Sequence, residues 1–290
     1  MTATADLFRA LGALSEAPVP GHAALAASLG LSDPPSSEQY VESFVLQTYP
    51  YASVYLGPEG MMGGEARDRV AGFWRALGLV PPPEPDHLAA LAGLYAALID
   101  AEADETEPAR AAMRRSARKA FLWEHLLSWC PIWLDKVVAL APPPYRAWAV
   151  ILGAALEEEA RLLGPQERLP LALREAPGLP ATDAGSDELI VALLAPVRSG
   201  VIITRADLAR CARDLGIGLR MGERAYILRA FLEQDPSATL GWLADEADAA
   251  AARYASLPSP LGGIPGAWRE RTERSAVLLR NAAGVGIGGP

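Results

Sequence analysis

The stretch Phe121-Leu-Trp-Glu-His-Leu-Leu-Ser-Trp-Cys-Pro-Ile-Trp133 carries the clearest helical signal in the chain. Its apolar side chains recur at spacings of four, three and four residues, at Leu122, Leu126, Trp129 and Trp133. Residues at these spacings share one face of an α-helix, so the stretch is predicted to be amphipathic and helical. Pro131 has no backbone N–H to donate, and the helix is therefore predicted to kink or end near Cys130.

The same periodicity runs through most of the sequence and predicts an all-α fold. Ala and Leu dominate a hydrophobic fraction of 51%, and both residues favour helix. The one β-like run, Val201-Ile-Ile-Thr204, is too short to build a sheet. Helices are predicted over about 3–15, 21–29, 36–47, 64–77, 86–103, 106–130, 144–163, 186–195, 204–214, 220–234, 236–256 and 266–281.

Several helix ends are readable from side-chain chemistry. Ser36 precedes one helix, and Gly78 closes the helix that carries Phe73 and Trp74. Thr204 stands three residues before Asp207, which is an approximate capping box. Asp86 follows Pro85 and is predicted to cap the next helix through its side-chain oxygen.

A long break rich in Pro and Gly divides the chain. It predicts a helical domain over 1–163, a hinge or linker over 164–185, and a C-terminal helical extension over 186–290. The tail from Gly284 to Pro290 is expected to be mobile. It contains Gly284-Val-Gly-Ile-Gly-Gly289, which matches Gly-x-Gly-x-x-Gly but has no following helix to hold a pyrophosphate.

Charge and cysteine content restrict the class of partner and the compartment. The net charge of −9 argues against a nucleic-acid binder and suits a basic peptide. Cys130 and Cys211 form no disulfide framework, so a reducing compartment is expected. The N-terminus has no basic and apolar signal pattern, and no apolar window is long enough to span a membrane. We therefore expect a cytoplasmic protein.

No constellation of residues predicts catalysis. The sequence contains neither a Gly-x-Ser-x-Gly elbow nor a Walker loop, and no nucleophile pairs with a base. Glu84 and His87 have the Glu-x-x-His spacing of a di-iron site, but neither His22 nor His125 repeats it. We predict no catalytic residues, no metal and no cofactor. An α-helical metalloenzyme is the weaker alternative.

Aromatic side chains mark two candidate binding regions. Tyr49, Tyr51 and Tyr55 flank Pro50 and Gly57-Pro58, and tyrosine suits a wet binding surface. The alternative is a loop pinned to the core by its rings, and the sequence leaves both open. His125 lies four residues before Trp129 and can stack on it, although core burial is the favoured interpretation for Trp129 and Trp133.

A second functional hypothesis concerns residues 204–230. Two short helices flank a Gly-x-Gly turn there, which could be a helix-turn-helix regulator. The alternative is an ordinary helical hairpin whose arginines pair with Asp207, Asp214 and Glu223. The arginines concerned are Arg205, Arg210, Arg213, Arg220, Arg224 and Arg229.

Five motifs occur in one order between about Val41 and Leu163. They are Tyr-x-Ser-Val-Tyr-Leu, a Gly-Glu at a helix start, Phe-Trp-Arg-x-x-Gly-Leu, Pro-Asp-His-Leu and His-Leu-x-x-Trp-x-Pro-x-Trp. In this order they resemble the TorD/DmsD family of redox-enzyme maturation chaperones. The chain departs from the family in having Trp133 where a Phe is usual, and in a helical region from Ser186 onward that the family core does not explain.

The resemblance implies an all-α, TorD-like helical bundle without enzymatic activity. It implies binding of the precursor of a molybdenum-containing oxidoreductase, or its twin-arginine signal peptide, during cofactor insertion and before export. It also implies a monomer or homodimer. The family's leader-binding Asp-His pair falls on Asp86 and His87, and its nearby surface on Tyr55. Together with the residues above, the predicted peptide-binding set is Asp86, His87, Tyr55, Tyr51, Glu84, His125 and Trp129.

Overall fold

The computed structural model describes residues 2–180 and 185–285, and their regular structure is entirely helical. The predicted all-α fold is confirmed. The part of the Pro/Gly break over 181–184 and the end of the tail over 286–290, which includes most of the Gly-x-Gly-x-x-Gly match, lie outside the described residues. Residues 201–204, the β-like run, form no strand.

The chain divides into two compact units that are not consecutive in sequence. The first contains 1–53, 62–171 and 258–262, and the second contains 54–61, 172–257 and 263–290. The predicted domain boundaries at 163 and 186 stay a prediction. Two short segments, 54–61 and 258–262, leave the unit of their neighbours in the sequence and group with the other unit.

The helices of the first unit pack mainly in pairs, α1 on α6, α6 on α7, and α8 on α9. Short π-helices at Val41–Val45 and Leu122–Leu127 continue α3 and α7, and a 3-10 turn at Ser259–Leu261 returns to this unit. The α-helices are α1 Ala3–Ala13, α2 His22–Ser28, α3 Ser37–Tyr40, α4 Ala52–Leu56 (which begins here and ends in the second unit), α5 Gly64–Ala76, α6 Leu88–Ala103, α7 Pro108–Phe121, α8 Cys130–Leu140 and α9 Pro143–Leu163.

The helices of the second unit surround one apolar cluster. The longest two, α15 and α16, pack along each other, and α14 contacts α11, α13 and α15. Fully buried members of the cluster include Leu208, Leu228, Phe231 and Leu240. The α-helices are α10 Leu171–Glu175, α11 Ser186–Leu194, α12 Pro196–Ser199, α13 Arg205–Leu215, α14 Arg224–Gln234, α15 Pro236–Ala255 and α16 Ile264–Val285.

Most predicted helices and caps are confirmed. The Ser36 hydroxyl accepts from the Gln39 amide, and Thr204 and Asp207 form a reciprocal capping box. Gly78 follows α5 at φ 76°, in the left-handed region that favours glycine. Helices α4, α8, α10 and α12 are missing from the prediction.

The break near Cys130 is confirmed, but its role differs from the prediction. The π-helix ends at Leu127, and Trp129 leaves helical geometry with φ −137°. Pro131 then stands in the first turn of α8, where its missing N–H costs no hydrogen bond. The proline therefore starts a new helix as well as ending the old one.

Tryptophans and tyrosines fill the core of the first unit. Trp129 and Trp133 are fully buried, which confirms their predicted core role. The Phe44 ring contacts Tyr145, Trp148 and Trp133 at centroid distances of 4.6, 5.6 and 5.9 Å. The cluster joins three helical segments of the unit into one aromatic core.

A buried charge network crosses the same unit. The Arg118 guanidinium binds the carboxylates of Glu102, at 2.9 Å, and Glu159. The Tyr95 hydroxyl donates to Glu159 and accepts from Arg118 Nε at 3.3 Å. Because each buried charge has an opposite partner, the network fixes α6, α7 and α9 against one another.

Candidate functional site

Two distant segments meet side by side at the predicted Asp-His pair. The Leu88 amide donates to the Pro50 carbonyl at 2.8 Å, and the Ala52 amide donates to the Asp86 carbonyl at 3.0 Å. This isolated antiparallel bridge between Tyr51 and His87 joins the Tyr-rich loop to the start of α6. It therefore brings three predicted site residues, Tyr51, Glu84 and His87, into one neighbourhood.

Asp86 is buried beneath this bridge, with 1% of its surface exposed. Its carboxylate accepts a hydrogen bond from the Ser53 amide, in the first turn of α4, at 3.1 Å. The prediction that Asp86 caps α6 is wrong, because the helix starts one residue later than expected and His87 occupies the cap position. Asp86 instead stabilises the N-terminal end of α4, whose amides have no partner within the helix.

His87 caps α6 through its ring. The Nδ1 atom accepts a hydrogen bond from the Ala89 amide at 3.1 Å, so the neutral ring carries its proton on Nε2. Burial lowers the pKa of His87, and the negative charges of Glu16, Glu84 and Asp86 partly oppose that shift. The Tyr51 ring meets it edge-on at a centroid distance of 4.8 Å. The imidazole is therefore held neutral and in a fixed orientation.

A cleft of about 900 Å³ opens in the first unit above this pair. Helix α6 contributes mainly small side chains. The remainder come from α1 and the residues after it, from α3 and α5, from the Tyr-rich loop and from the proline loop before α6. The lining residues are Arg9, Ala13, Glu16, Ala17, Tyr40, Tyr51, Trp74, Pro82, Pro83, Glu84, His87, Ala89, Ala90, Gly93 and Leu94.

The cleft carries two exposed carboxylates, Glu16 and Glu84. The Tyr51 hydroxyl donates to Glu84 Oε2 at 2.8 Å, and burial together with this carboxylate raises the pKa of Tyr51. Burial raises the pKa of Tyr40 too, and the charges of Glu16 and Glu84 add to the shift. Both carboxylates thus act on Tyr40, and Glu84 also acts on Tyr51, so this side of the cleft is electrostatically negative.

The one cation among the lining residues is already paired. The Arg9 guanidinium binds the carboxylates of Asp6, at 2.9 Å, and Asp100. On the opposite side, the Arg67 guanidinium donates to the Pro83 carbonyl at 3.0 Å and holds the proline loop in place. The cleft therefore offers two carboxylates as hydrogen-bond acceptors, and Arg67 fixes the proline loop at its edge.

The other predicted site residues lie elsewhere in the structure. Tyr55 is 1% exposed and belongs to the second unit, so it is a pinned ring and not part of an open surface. Trp129 is fully buried, and its indole N–H donates to the His125 carbonyl at 2.9 Å. These residues, like His125, are not among those that line the cleft.

His125 packs against phenylalanine rings. Its ring centroid lies 5.3 Å from that of Phe73 and 5.2 Å from that of Phe121. Burial, assisted by the positive charge of Arg69, lowers the pKa of His125 to about 4. The His125 imidazole is therefore neutral and faces the core.

Sequence reasoning missed several cleft residues, chiefly Glu16, Tyr40 and Trp74. Glu16 follows α1, Tyr40 ends α3, and Trp74 lies on α5, so they are far apart in the chain. Trp74 belongs to a motif that the sequence did highlight, and that motif was the available signal. Glu16 and Tyr40 stand in no pattern that separates them from other exposed residues.

Two alternatives are addressed by the same structure. The segment 204–230 forms α13 and α14 joined by an eight-residue loop, and its arginines largely serve internal contacts. Arg210 binds Asp207 and Glu246, Arg213 approaches Asp214, and Arg229 binds Asp187. Within residues 2–180 and 185–285, no group of three or more His, Cys, Asp or Glu side chains is arranged to hold a metal.

Comparison with protein families agrees with the earlier resemblance. Residues 33–135 match the family described as nitrate reductase delta subunit. The match supports a redox-enzyme maturation chaperone family. The matched segment includes Tyr40, Tyr51, Trp74, Glu84 and His87 of the cleft. A search of curated proteins found no match for the chain. In the part of the chain that the structure describes, no helix is long and apolar enough to cross a membrane.

Proposed function

We propose that the cleft of the first unit binds the twin-arginine leader of a molybdoenzyme precursor in the cytoplasm, before export. The family match supports a role in molybdoenzyme maturation in general, and the cleft supplies the specific proposal. The observation that carries it is the combination of two exposed carboxylates with aromatic walls and an apolar floor. The chaperone acts by holding its client, which requires reversible binding and no bond chemistry.

The carboxylates suit the basic part of a leader. Arginine presents a planar fork of donors that matches carboxylate geometry, so Glu84 and Glu16 can each accept a guanidinium. The Tyr51 hydroxyl already orients Glu84, and a preorganised acceptor loses less side-chain entropy on binding. The His87 Nε2–H remains available as a donor to a peptide carbonyl.

The floor suits the apolar part of a leader. Ala89, Ala90 and Gly93 on α6 have short side chains, which lets a peptide backbone approach the helix closely. Leu94 and Trp74 border this strip and offer apolar surface, while the proline loop forms one edge. Burial of apolar side chains there provides affinity, and the carboxylates provide orientation.

Calorimetric titration with a synthetic leader that contains two arginines and an apolar segment tests the proposal. We expect Glu84→Gln and Glu16→Gln each to weaken binding about tenfold, which corresponds to about 1.4 kcal/mol. Glu167→Gln removes an exposed carboxylate of the same unit outside the cleft and is the matched control. Equal affinities for all three variants and the native protein would exclude the cleft as the leader site.

A double-mutant cycle sharpens the assignment. If Glu84 and Glu16 bind different arginines, the losses of binding free energy in the two single variants should add in the double variant. If they share one arginine, the double variant should bind the leader only slightly more weakly than either single variant. Replacing each leader arginine by glutamine in turn identifies the partner of each carboxylate. If replacing the leader arginines lowers the affinity of neither the native protein nor any variant, the arginines do not contribute to binding.

A further inference from the structure

The backbone that carries Glu84 is fixed from several sides. Glu84 lies between Pro83 and Pro85, and a residue that precedes proline is restricted to extended conformations. The His87 amide donates to the Glu84 carbonyl at 3.2 Å. The Arg67 guanidinium donates to the Pro83 carbonyl at 3.0 Å, so the chain is held immediately before Glu84 as well.

The Glu84 side chain is also fixed. The Tyr51 hydroxyl donates to its Oε2 atom at 2.8 Å, and the Tyr51 backbone is joined to His87 by the antiparallel bridge. A carboxylate offers about four acceptor directions on its two oxygens. Tyr51 takes one of them, so both oxygens remain able to accept from a ligand while the orientation of the carboxylate is set in advance.

The second carboxylate of the cleft, Glu16, lacks this support. It lies in a bend after α1, and its side chain is exposed. In the part of the chain that the structure describes, no group donates a hydrogen bond to the Glu16 carboxylate. Glu16 therefore keeps its rotamer freedom and loses it only when it binds a cation. The cleft thus combines one preoriented carboxylate with one that is not.

We propose that the two carboxylates recognise the leader arginines unequally, so that the position facing Glu84 requires arginine and the position facing Glu16 accepts lysine as well. This inference rests on the proposed function and specifies its selectivity. The fit of a planar guanidinium fork depends on the orientation of the carboxylate, whereas a lysine ammonium is a compact charge with rotatable donors. A preoriented carboxylate therefore favours arginine, and a carboxylate that must first be ordered loses part of that advantage.

Tyr51 is a positioning residue in this arrangement, because it selects arginine through Glu84. Without the Tyr51 hydroxyl, the Glu84 side chain regains rotamer freedom and resembles Glu16. The loss should weaken binding of arginine at that position and leave binding of lysine nearly unchanged. Selectivity between the two cations therefore reports the orientation of Glu84, which a general loss of affinity does not.

Calorimetric titration with four synthetic leaders, which carry Arg-Arg, Lys-Arg, Arg-Lys or Lys-Lys, tests the proposal. The native protein is expected to bind one single-lysine leader about tenfold more weakly than the Arg-Arg leader, and the other within about twofold. Glu84→Gln should remove this inequality, and Glu16→Gln should retain it. Equal effects of the two lysine positions on the native protein, or an inequality that survives Glu84→Gln, would overturn the proposal.

The variant Tyr51→Phe separates orientation from charge. It should reduce the tenfold preference for arginine to about threefold or less, while the affinity for the Lys-Lys leader stays within about twofold. Arg67→Met releases the Pro83 carbonyl and should act in the same direction. Tyr226→Phe removes a hydroxyl of the second unit and is the matched control. A Tyr51→Phe protein that keeps the native preference would overturn the positioning role.

The proposed function and this inference fail in different ways. If Glu84→Gln and Glu16→Gln leave the affinity for the Arg-Arg leader unchanged, the leader does not bind in the cleft, and both fail together. If these variants weaken that affinity but the native protein treats the two lysine positions alike, the proposed function stands. Only the selectivity assigned to Glu84 and Tyr51 is then wrong.

Discussion

At the scale of single residues, the Asp-His pair performs two different tasks. Asp86 points into the protein and supports the first turn of α4, whereas His87 caps α6 and faces the cleft. Only the second residue can touch a ligand directly in this structure. Glu84, two residues before Asp86, places an exposed carboxylate on the lining of the same cleft.

The first prediction separates the charge of Asp86 from its acceptor geometry. Asp86→Ala removes a buried acceptor and should lower the free energy of unfolding by about 1.5–3 kcal/mol. Asp86→Asn keeps an oxygen for the Ser53 amide and should recover most of that loss. Urea unfolding gives the stabilities and titration with the leader gives the affinities. A tenfold affinity loss in Asp86→Asn with full stability would instead assign the charge itself to leader binding.

The second prediction concerns acid stability. The native pKa of His125, about 4, lies below its ordinary value of 6.5, so the unfolded chain binds a proton more readily than the native state. The contribution of neutral His125 is complete above pH 6.5 and declines as the pH falls toward 4. At 1.36 kcal/mol per pKa unit, the loss is at most about 3 kcal/mol.

Substitution by phenylalanine tests this dependence, because the site already holds Phe73 and Phe121. His125→Phe should unfold at nearly the native urea concentration at pH 7 and at a clearly higher one at pH 4.5. Carboxylate titration affects both proteins equally, so the difference between them isolates the imidazole. If the urea midpoints of the native protein and His125→Phe differ by the same amount at both pH values, the assigned pKa is contradicted.

At the scale of elements, helix termini and close backbone approaches define the architecture. Proline stands in the first turn of α7, α8, α9, α12 and α15, where its missing donor is harmless. Elsewhere a glycine permits contact that no other residue allows. Gly60 has φ 63°, and a Cβ there would meet the Leu194 carbonyl oxygen at 2.5 Å. The segment 54–61 thus packs tightly against the end of α11 within the second unit.

The third prediction compares two glycines of the loop between α4 and α5. Gly60→Ala and Gly63→Ala both place a side chain at positive φ, but nothing lies within 4 Å of a Cβ at Gly63. The additional clash should make Gly60→Ala less stable than Gly63→Ala by about 1–3 kcal/mol. Urea denaturation of the two variants measures the difference. Equal losses would mean that the backbone conformation alone sets the cost.

The elements also show what the sequence could and could not predict. Periodicity located the long helices, because one apolar face must be buried wherever a helix packs. It missed α8, since Pro131 was interpreted only as a stop, and it placed the cap of α6 one residue early, since Asp86 and His87 can both accept a hydrogen bond. The cleft was predicted only in part. Tyr51, Glu84 and His87 lie in segments that the sequence highlighted, whereas Glu16 and Tyr40 join them only through tertiary folding.

At the scale of the whole molecule, the net charge of −9 is expected to govern encounter with a basic leader. A negative field accelerates association, and salt screens that field. The fourth prediction is that the association rate falls about tenfold between 0.05 and 0.5 M salt, while the dissociation rate changes less. Stopped-flow fluorescence of a labelled leader measures both rates. A leader with both arginines replaced by glutamine should show a nearly flat salt dependence, and a steep one would assign the effect to another part of the peptide.

The interleaved order of the two units has a consequence for biosynthesis. Residues 258–262 group with the first unit, and Gly262 lies so close to the Trp123 ring that an added Cβ would stand 3.2 Å from it. A ribosome must therefore translate through residue 262 before the first unit has all of its own residues. A nascent chain arrested before that point lacks this final piece, so the unit can complete its native packing only late in translation.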